Sequence, residues 1–401
     1  MKRLPRWAHC PWCTGRRSRV RPSLLLPVLA LWLLLHCQWY DTAPERATVI
    51  GANFSCQRAR YLDLDCEATL AAVLDDLGAR LVRLSVYWHE AEPEPGRYDW
   101  RPIERQLDAV HARGGRAVVS IGMKAQRFPE YWLPDWLRQA APIAPDELPE
   151  RHPLVRRHLL AFLDAAARRV SAHPAVEALQ VENEPYVNYR PNRLLRWIGR
   201  ERYGPGEHRS LHILFLKFGW NATTWRISDS FLAEEVATVR AAAPRTPIVL
   251  THASWLRTDR SWRSLLELGD VLGQSVYTKR QLGPWPWLYL FPYRLGPLSP
   301  HLPTQARTAA RQGKALWITE LQAEPFEKSG MDERHAPRAI NGFTPGRLAE
   351  NVTLARRAGA TRVYLWGVEW WAYLKERHGD GRLWEAGRAV LAEAGPPEHH
   401  R

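Results

Sequence analysis

The sequence predicts a (β/α)8 barrel, and three observations carry that prediction. Short β-rich runs alternate with longer helical runs from residue 44 almost to the C-terminus. Eight such strand runs fit the spacing of eight strand–helix units, roughly 250 to 400 residues in this architecture. A doubly wound sheet also alternates, but it usually carries a Gly-rich phosphate turn after its first strand. The segment Gly-Ala-Asn-Phe-Ser-Cys at 51–56 is not such a turn.

The expected strands lie near 47–52, 81–87, 116–122, 176–182, 246–251, 271–277, 315–320 and 361–367. Helical stretches between them cover 67–79, 101–114, 155–172, 229–243 and 345–360, and another follows at 385–395. Several end in Gly or Ala-Gly, a helix-stop signal, because glycine takes the left-handed φ that closes a helix. Internal repeats, low-complexity tracts and an interdomain linker are absent. The reading is therefore one barrel domain over 44–398, behind two N-terminal segments.

Those segments read as targeting sequence. Residues 1–22 hold seven Lys or Arg and no acid. Residues 23–40 contain the apolar run at 24–35, followed by Trp39 and Tyr40. Twelve apolar residues match a signal-peptide core, and the extension brings the segment near spanning length. No A-x-A cleavage site is visible, so an uncleaved signal anchor is the expectation, with a cleaved signal peptide as the other reading. The arginines then stay in the cytoplasm and the barrel lies outside. Cys10 and Cys13 form a lone C-x-x-C that cannot complete a zinc site. Cys37 sits in a lipoprotein-like box, with His36 a poor residue before it. Cys56 and Cys66 would form a disulfide in an exported domain; two buried thiols are the alternative.

The net charge of +14 raises nucleic acid as a partner. Half of it sits in the first 22 residues and the rest is thinly spread, so nucleic acid is set aside. Twenty Trp hint at carbohydrate, because indole rings stack on sugar faces. No cofactor and no metal site are expected. Sequons occur at Asn53, Asn221 and Asn351.

In a barrel of this kind, chemistry sits at the C-terminal ends of the strands. Those ends offer Asn53, Arg83, Glu184, His252, Tyr277, Glu320 and Trp366. Glu184 follows Asn183 and precedes Pro185, an odd way to finish a structural strand but a sensible way to aim a carboxyl group outward. Two opposed carboxyls are the minimum apparatus for cleaving a glycosidic bond. One protonates the leaving oxygen; the other, about 5 Å away, attacks the anomeric carbon with overall retention.

Asn183-Glu184-Pro185 and Glu320, in Leu-Trp-Ile-Thr-Glu, resemble the clan A glycoside hydrolases, most of all family 5, with families 42 and 39 as neighbours. Residues 83–100 are also similar to the clan's second strand and following loop. The resemblance spans 47–393. It implies that Glu184 is the acid/base and Glu320 the nucleophile. It further implies that Asn183 contacts the sugar 2-hydroxyl, that Tyr277 and Arg83 flank the nucleophile, and that Trp366 floors the site. The chain departs from family 5 at Ser275-Val276-Tyr277, where His-x-Tyr is common, and at the end of strand three, which reads Ser-Ile-Gly-Met-Lys instead of ending in His. His252 is a candidate for some of that space.

Plainer roles stand beside these. Arg83 alone would suit a buried ion pair, Trp366 alone a core, and His252 a structural hydrogen bond. Trp370 and Trp371 divide evenly between packing and a sugar subsite. The aromatic stretch 283–297 reads as a wall beside the substrate, with a hydrophobic plug over the barrel or a membrane-touching loop as alternatives; 129–137 reads the same way, and the loop at 185–225 as a cap on one end of a cleft. Two functional classes follow. One is a retaining hydrolase of β-linked oligo- or polysaccharides; the other is a non-catalytic sugar-binding barrel, which predicts the loss of at least one carboxyl.

Overall fold

The computed structural model describes Pro27, residues 44–127, 131–143, 147–186, 225, 227–253, 259–281, 289–291, 293, 301–325 and 342–393. The tail 1–22 and the segment 23–40, apart from Pro27, lie outside the described residues. So do most of the loops 185–225 and 283–297.

The strands, in chain order, are β1 (Val49–Asn53), β2 (Leu81–Ser85), β3 (Arg116–Ile121), β4 (Val176–Val181), β5 (Ile248–His252), β6 (Val271–Val276), β7 (Arg280–Gln281), β8 (Tyr289–Leu290), β9 (Ala315–Gln322) and β10 (Arg362–Trp366). Eight of them run parallel and close into a barrel. Their order around the wall is β1-β10-β9-β6-β5-β4-β3-β2, which returns to β1. The other two, β7 and β8, form a small antiparallel ribbon after β6. The expected (β/α)8 TIM barrel is therefore what folds. Strand bounds differ from the sequence reading by one or two residues, as element ends usually do.

Alternation along each strand divides the side chains. Leu81, Val118, Ala178, Val249, Val271, Trp317 and Tyr364 form a buried apolar cluster of their own, the floor of the barrel interior. Residues that point the other way, such as Val82, Leu84, Val119, Leu179 and Leu250, join the larger core under the helices. Two residues beyond the floor the interior turns polar, with Arg83, Ser120, Gln180 and Thr251 all buried. Apolar floor and polar mouth place the chemistry at the C-terminal end.

The helices start where local chemistry permits. Ser228 Oγ accepts from the Phe231 amide at the head of Asp229–Ala242. Thr344 caps Pro345–Ala358, whose Pro takes the first turn, and Gly359 ends it at φ 80°. Trp370 and Trp371, which the sequence left divided, are fully buried in the helix Val368–His378. The Trp371 indole donates to the Ala323 carbonyl at 2.7 Å. A Cβ on Gly387 would lie 2.2 Å from the Trp371 ring, so both tryptophans are packing. Asn53 and Asn351 are 1% and 2% exposed, which closes those sequons to glycosylation. The third, Asn221, lies outside the described residues.

Cys56 and Cys66 are joined, with Cα atoms 5.0 Å apart. They open the helices Cys56–Tyr61 and Cys66–Asp75. Closing a loop of this length restricts the unfolded chain by about 2–3 kcal/mol. The double variant Cys56→Ser/Cys66→Ser is expected to lose about that much stability, read from its denaturant midpoint. An unmoved midpoint would mean that the bridge constrains nothing in the unfolded ensemble.

Among the described residues no helix is long and apolar enough to cross a membrane, and no cluster of three His, Cys, Asp or Glu is arranged to hold a metal.

Candidate active site

β4 ends at Val181, and the chain then turns on Glu182, Asn183 and Glu184. Glu182 and Glu184 have φ of 57° and 48°, left-handed values that residues with a Cβ seldom adopt. Strain of roughly 1–3 kcal/mol per residue persists only where the surroundings impose it. Here three hydrogen bonds do so. The Glu184 amide donates to Thr251 Oγ1 at 2.7 Å. Lys124 Nζ donates to the Glu184 carbonyl, and the Asn183 amide donates to the Lys124 carbonyl, both at 2.8 Å. The last two bonds tie the turn after β3 to the turn after β4. Glu184 is 7% exposed and lines a cavity of about 30 Å³ with Tyr186, Thr251, His252, Ala253, Asp259 and Ser261.

Glu320 arrives by a different device. Gly273 of β6 pairs with Trp317, but Ser275 pairs with Glu320. On the other side Val363 of β10 pairs with Ile318, but Leu365 pairs with Leu321. β9 thus holds one extra residue against both neighbours, a bulge that re-aims the side chains after it. It delivers Glu320 to two fixed donors. Arg83 Nη1 donates to Glu320 Oε1 at 3.0 Å, and Tyr277 Oη donates to Glu320 Oε2 at 2.8 Å.

Arg83 is the hub, with no exposed surface. Its Nε donates to Gln180 Oε1 at 2.7 Å. Nη1 also reaches Asn53 Oδ1 at 2.8 Å and Gln126 Oε1 at 3.1 Å. Nη2 donates to Asn183 Oδ1 at 2.7 Å. A planar fork with five N–H donors makes such a set possible. One guanidinium thereby orients both Glu320 and the residue next to Glu184. Burial, and then the charges of Glu320 and Glu184, push the Tyr277 phenol well above its ordinary range. Its hydroxyl stays protonated and donates to Glu320.

Trp366 is 7% exposed at the end of β10. The Arg127 guanidinium lies 3.9 Å over its ring, a cation–π contact. Arg127 also pairs with Glu324 and, at 2.6 Å, with Glu369. Arg58 reaches Glu324 at 3.4 Å. Glu369 accepts from the Ser55 amide at 2.7 Å. Burial raises the Glu369 carboxyl above its usual range. Burial also acts on Glu324, but Arg127 and Arg58 outweigh it and hold that carboxyl low. A Cβ on Gly367 would lie 2.6 Å from the Glu324 Cβ, so glycine there lets the cluster close against Trp366.

His252 stands apart from the carboxyl pair's hydrogen bonds. Its ring bonds Gln274 Oε1 at 3.0 Å and Ser261 Oγ at 3.1 Å, with Asp259 at 3.5 Å. It shares the small cavity with Glu184. In the stretch 129–137, Tyr131 and Leu133 are buried, and Trp132 stacks on His89 with ring centres 5.0 Å apart. These rings pack into the body of the protein.

The structure therefore brings Asn183, Arg83, Tyr277 and Glu320 into one hydrogen-bonded network beside Glu184, with Trp366 at the same mouth. Asn53, offered by its strand end, joins that network through Arg83. Lys124, Gln126, Arg127, Gln180, Thr251, Glu324 and Glu369 complete the surroundings, and the sequence reading offered none of these seven as a site residue. The polar run Lys-Ala-Gln-Arg at 124–127, directly after a buried strand, was the available signal.

The family model for glycoside hydrolase family 42, β-galactosidase, matches residues 68–226. No curated protein matches the chain. Among solved structures, a cold-adapted β-galactosidase from Rahnella sp. R3 superposes with a TM-score of 0.51 at 16% identity, covering 88% of this chain and 58% of that one. An exo-β-1,4-mannosidase from Opitutaceae bacterium strain TAV5 gives 0.53 at 16%, covering 90% and 65%. A family 5 enzyme from Streptomyces cattleya, in complex with GlcNAc, gives 0.52 at 16%, covering 88% and 83%. The chain spans about three-fifths of the length of the β-galactosidase it resembles. The solved structures share the barrel fold and the family model covers residues 68–226, so the chain is similar to the clan A glycoside hydrolases, with families 42 and 5 as its neighbours.

Proposed function

We propose that the protein is a retaining β-glycosidase in which Glu320 is the nucleophile and Glu184 the acid/base. The observation that carries this reading is the setting of Glu320. Both of its oxygens meet fixed donors, Arg83 and Tyr277, which suits an anion that must attack. Glu184 stands at the same mouth on a strained turn, beside a cavity, which suits a group that must reach a leaving oxygen.

In the first step Glu184 gives its proton to the glycosidic oxygen as Glu320 bonds to the anomeric carbon. The aglycone leaves with that proton. Glu184, now ionised, takes a proton from water, whose oxygen displaces Glu320. Two inversions give net retention. Asn183, held through its Oδ1 by Arg83, offers its amide N–H to a sugar hydroxyl. Trp366 supplies a flat apolar face.

The neighbours' names support β-galactosides and β-mannosides as the substrate class. The Cys56–Cys66 bridge suits an oxidising compartment. With the basic tail and apolar segment, it supports an exported barrel tethered at the cytoplasmic membrane.

The test is a panel of p-nitrophenyl β-galactoside, β-mannoside and β-glucoside, with the product anomer followed by NMR. The β-anomer is expected to form first. First appearance of the α-anomer would overturn the double displacement, and no release from the galactoside or mannoside would overturn the substrate class.

A further inference from the structure

Glu182 and Glu235 are both fully buried, and the mechanism above uses neither. Glu182 sits two residues before Glu184. Its Oε1 accepts from the Met123 amide at 2.9 Å and its Oε2 from the Lys124 amide at 2.6 Å. A Cβ on Gly122, at φ 137°, would lie 2.3 Å from Glu182 Oε1, so only glycine leaves room for the carboxylate. Glu182 thus pins the turn after β3, and that turn supplies the Lys124 contacts to Asn183 and Glu184.

Glu235 is buried on the helix Asp229–Ala242, which packs on β4, the strand that ends just before Glu182; the Glu182 charge acts on it. Neither of its buried oxygens meets an N–H or O–H donor among the described residues. Two neighbouring buried carboxyls, one already accepting two amides, can hydrogen-bond to each other only by holding a proton between them. We propose that Glu235 is kept protonated and donates to Glu182, and that this proton-sharing pair is the positioning element that holds Glu184 at the barrel mouth. The role in catalysis rests on the hydrolase reading; the shared proton does not.

The surroundings fit. Burial, then the nearby Glu182, Glu150 and Glu234, favour the neutral form of Glu235 and raise it well above the usual range. Burial also raises Glu182, while the Met123 and Lys124 amides, Glu235 and the Lys124 ammonium pull it back. Glu150 Oε1 accepts from the Ser228 amide at the head of the same helix.

The sign follows. Above the ordinary carboxyl value of 4.5, the unfolded chain has released a proton that the folded pair still holds. Stability attributable to the pair therefore falls as pH rises through and above that value. Glutamine at 235 keeps a donor but cannot ionise.

The experiment compares the wild-type chain with Glu235→Gln and Glu182→Gln. In the first arm, melting temperatures are read from about pH 5 to about pH 8. The gap between Glu235→Gln and wild type is expected to move in favour of the variant by about 2 °C or more across that range. Parallel curves would overturn the shared proton. In the second arm, kcat and KM are measured on the best aryl β-glycoside. Glu182→Gln, which offers one acceptor oxygen where two are needed, is expected to lose about tenfold or more in kcat with KM nearly unchanged. An unchanged kcat in a folded Glu182→Gln would overturn the positioning role. Wild-type protein inactive on every glycoside, with the melting gap still moving, would overturn the hydrolase reading while upholding the pair.

Discussion

Glu320→Ala is expected to remove turnover by about 10⁴-fold or more, because the proposed mechanism makes Glu320 the group that forms the covalent intermediate. Glu184→Ala is expected to cost about 10²–10⁴-fold, the usual worth of a positioned general acid. The two losses should also differ in kind. An aryl leaving group needs little protonation, so Glu184→Ala should keep more of its rate on p-nitrophenyl glycosides than on sugar–sugar bonds. Azide separates the roles further. In Glu320→Ala it attacks the substrate from the vacated face and gives the α-glycosyl azide. In Glu184→Ala it attacks the glycosyl-enzyme and gives the β-azide. The azide anomer, read by NMR, assigns each carboxyl. Wild-type rates in both variants would sink the mechanism, and reversed azide anomers would exchange the roles.

Arg83→Met is expected to destabilise the protein by about 3–5 kcal/mol and to abolish activity with it. The magnitude follows from what the guanidinium leaves behind. Glu320 would keep a buried charge without its cation. Asn53, Gln126, Gln180 and Asn183 would each lose a donor inside the barrel. Arg83→Lys keeps the charge but replaces the planar fork with a single ammonium, so it should fall between the two. Denaturant unfolding of the three proteins tests this order. A methionine variant within about 1 kcal/mol of wild type would show that the hub can be repacked.

Much of the site was legible because the barrel confines chemistry to strand ends. Asn183, Glu184, Tyr277 and Glu320 fall at such ends, and Arg83 lies within β2 facing the same interior. The rest was hidden for particular reasons. Arg127, Glu324 and Glu369 come from three separate loops or helices and meet only over Trp366. Glu182 reads as one more residue of a strand, yet its left-handed φ turns it onto the neighbouring turn. Glu235 looks like a solvated position on an amphipathic helix, but it faces inward. Trp370 and Trp371 divided evenly between packing and a sugar subsite on sequence alone; full burial of both, and the space that Gly387 leaves for the Trp371 ring, make them core.

The sequence by itself determined the eight-strand alternation, the two carboxyls and their neighbours of matching chemistry. Those depend on local period and residue type, which a linear chain displays. Only the tertiary structure decided how the carboxyls are aimed. The bulge in β9, the strained turn after β4 and the Lys124 and Glu182 ties between strands depend on register and on contacts between residues some 60 apart in the chain, such as Lys124 and Glu184. A one-residue slip in β9 would turn Glu320 away from Arg83, and register is set by packing across the whole barrel.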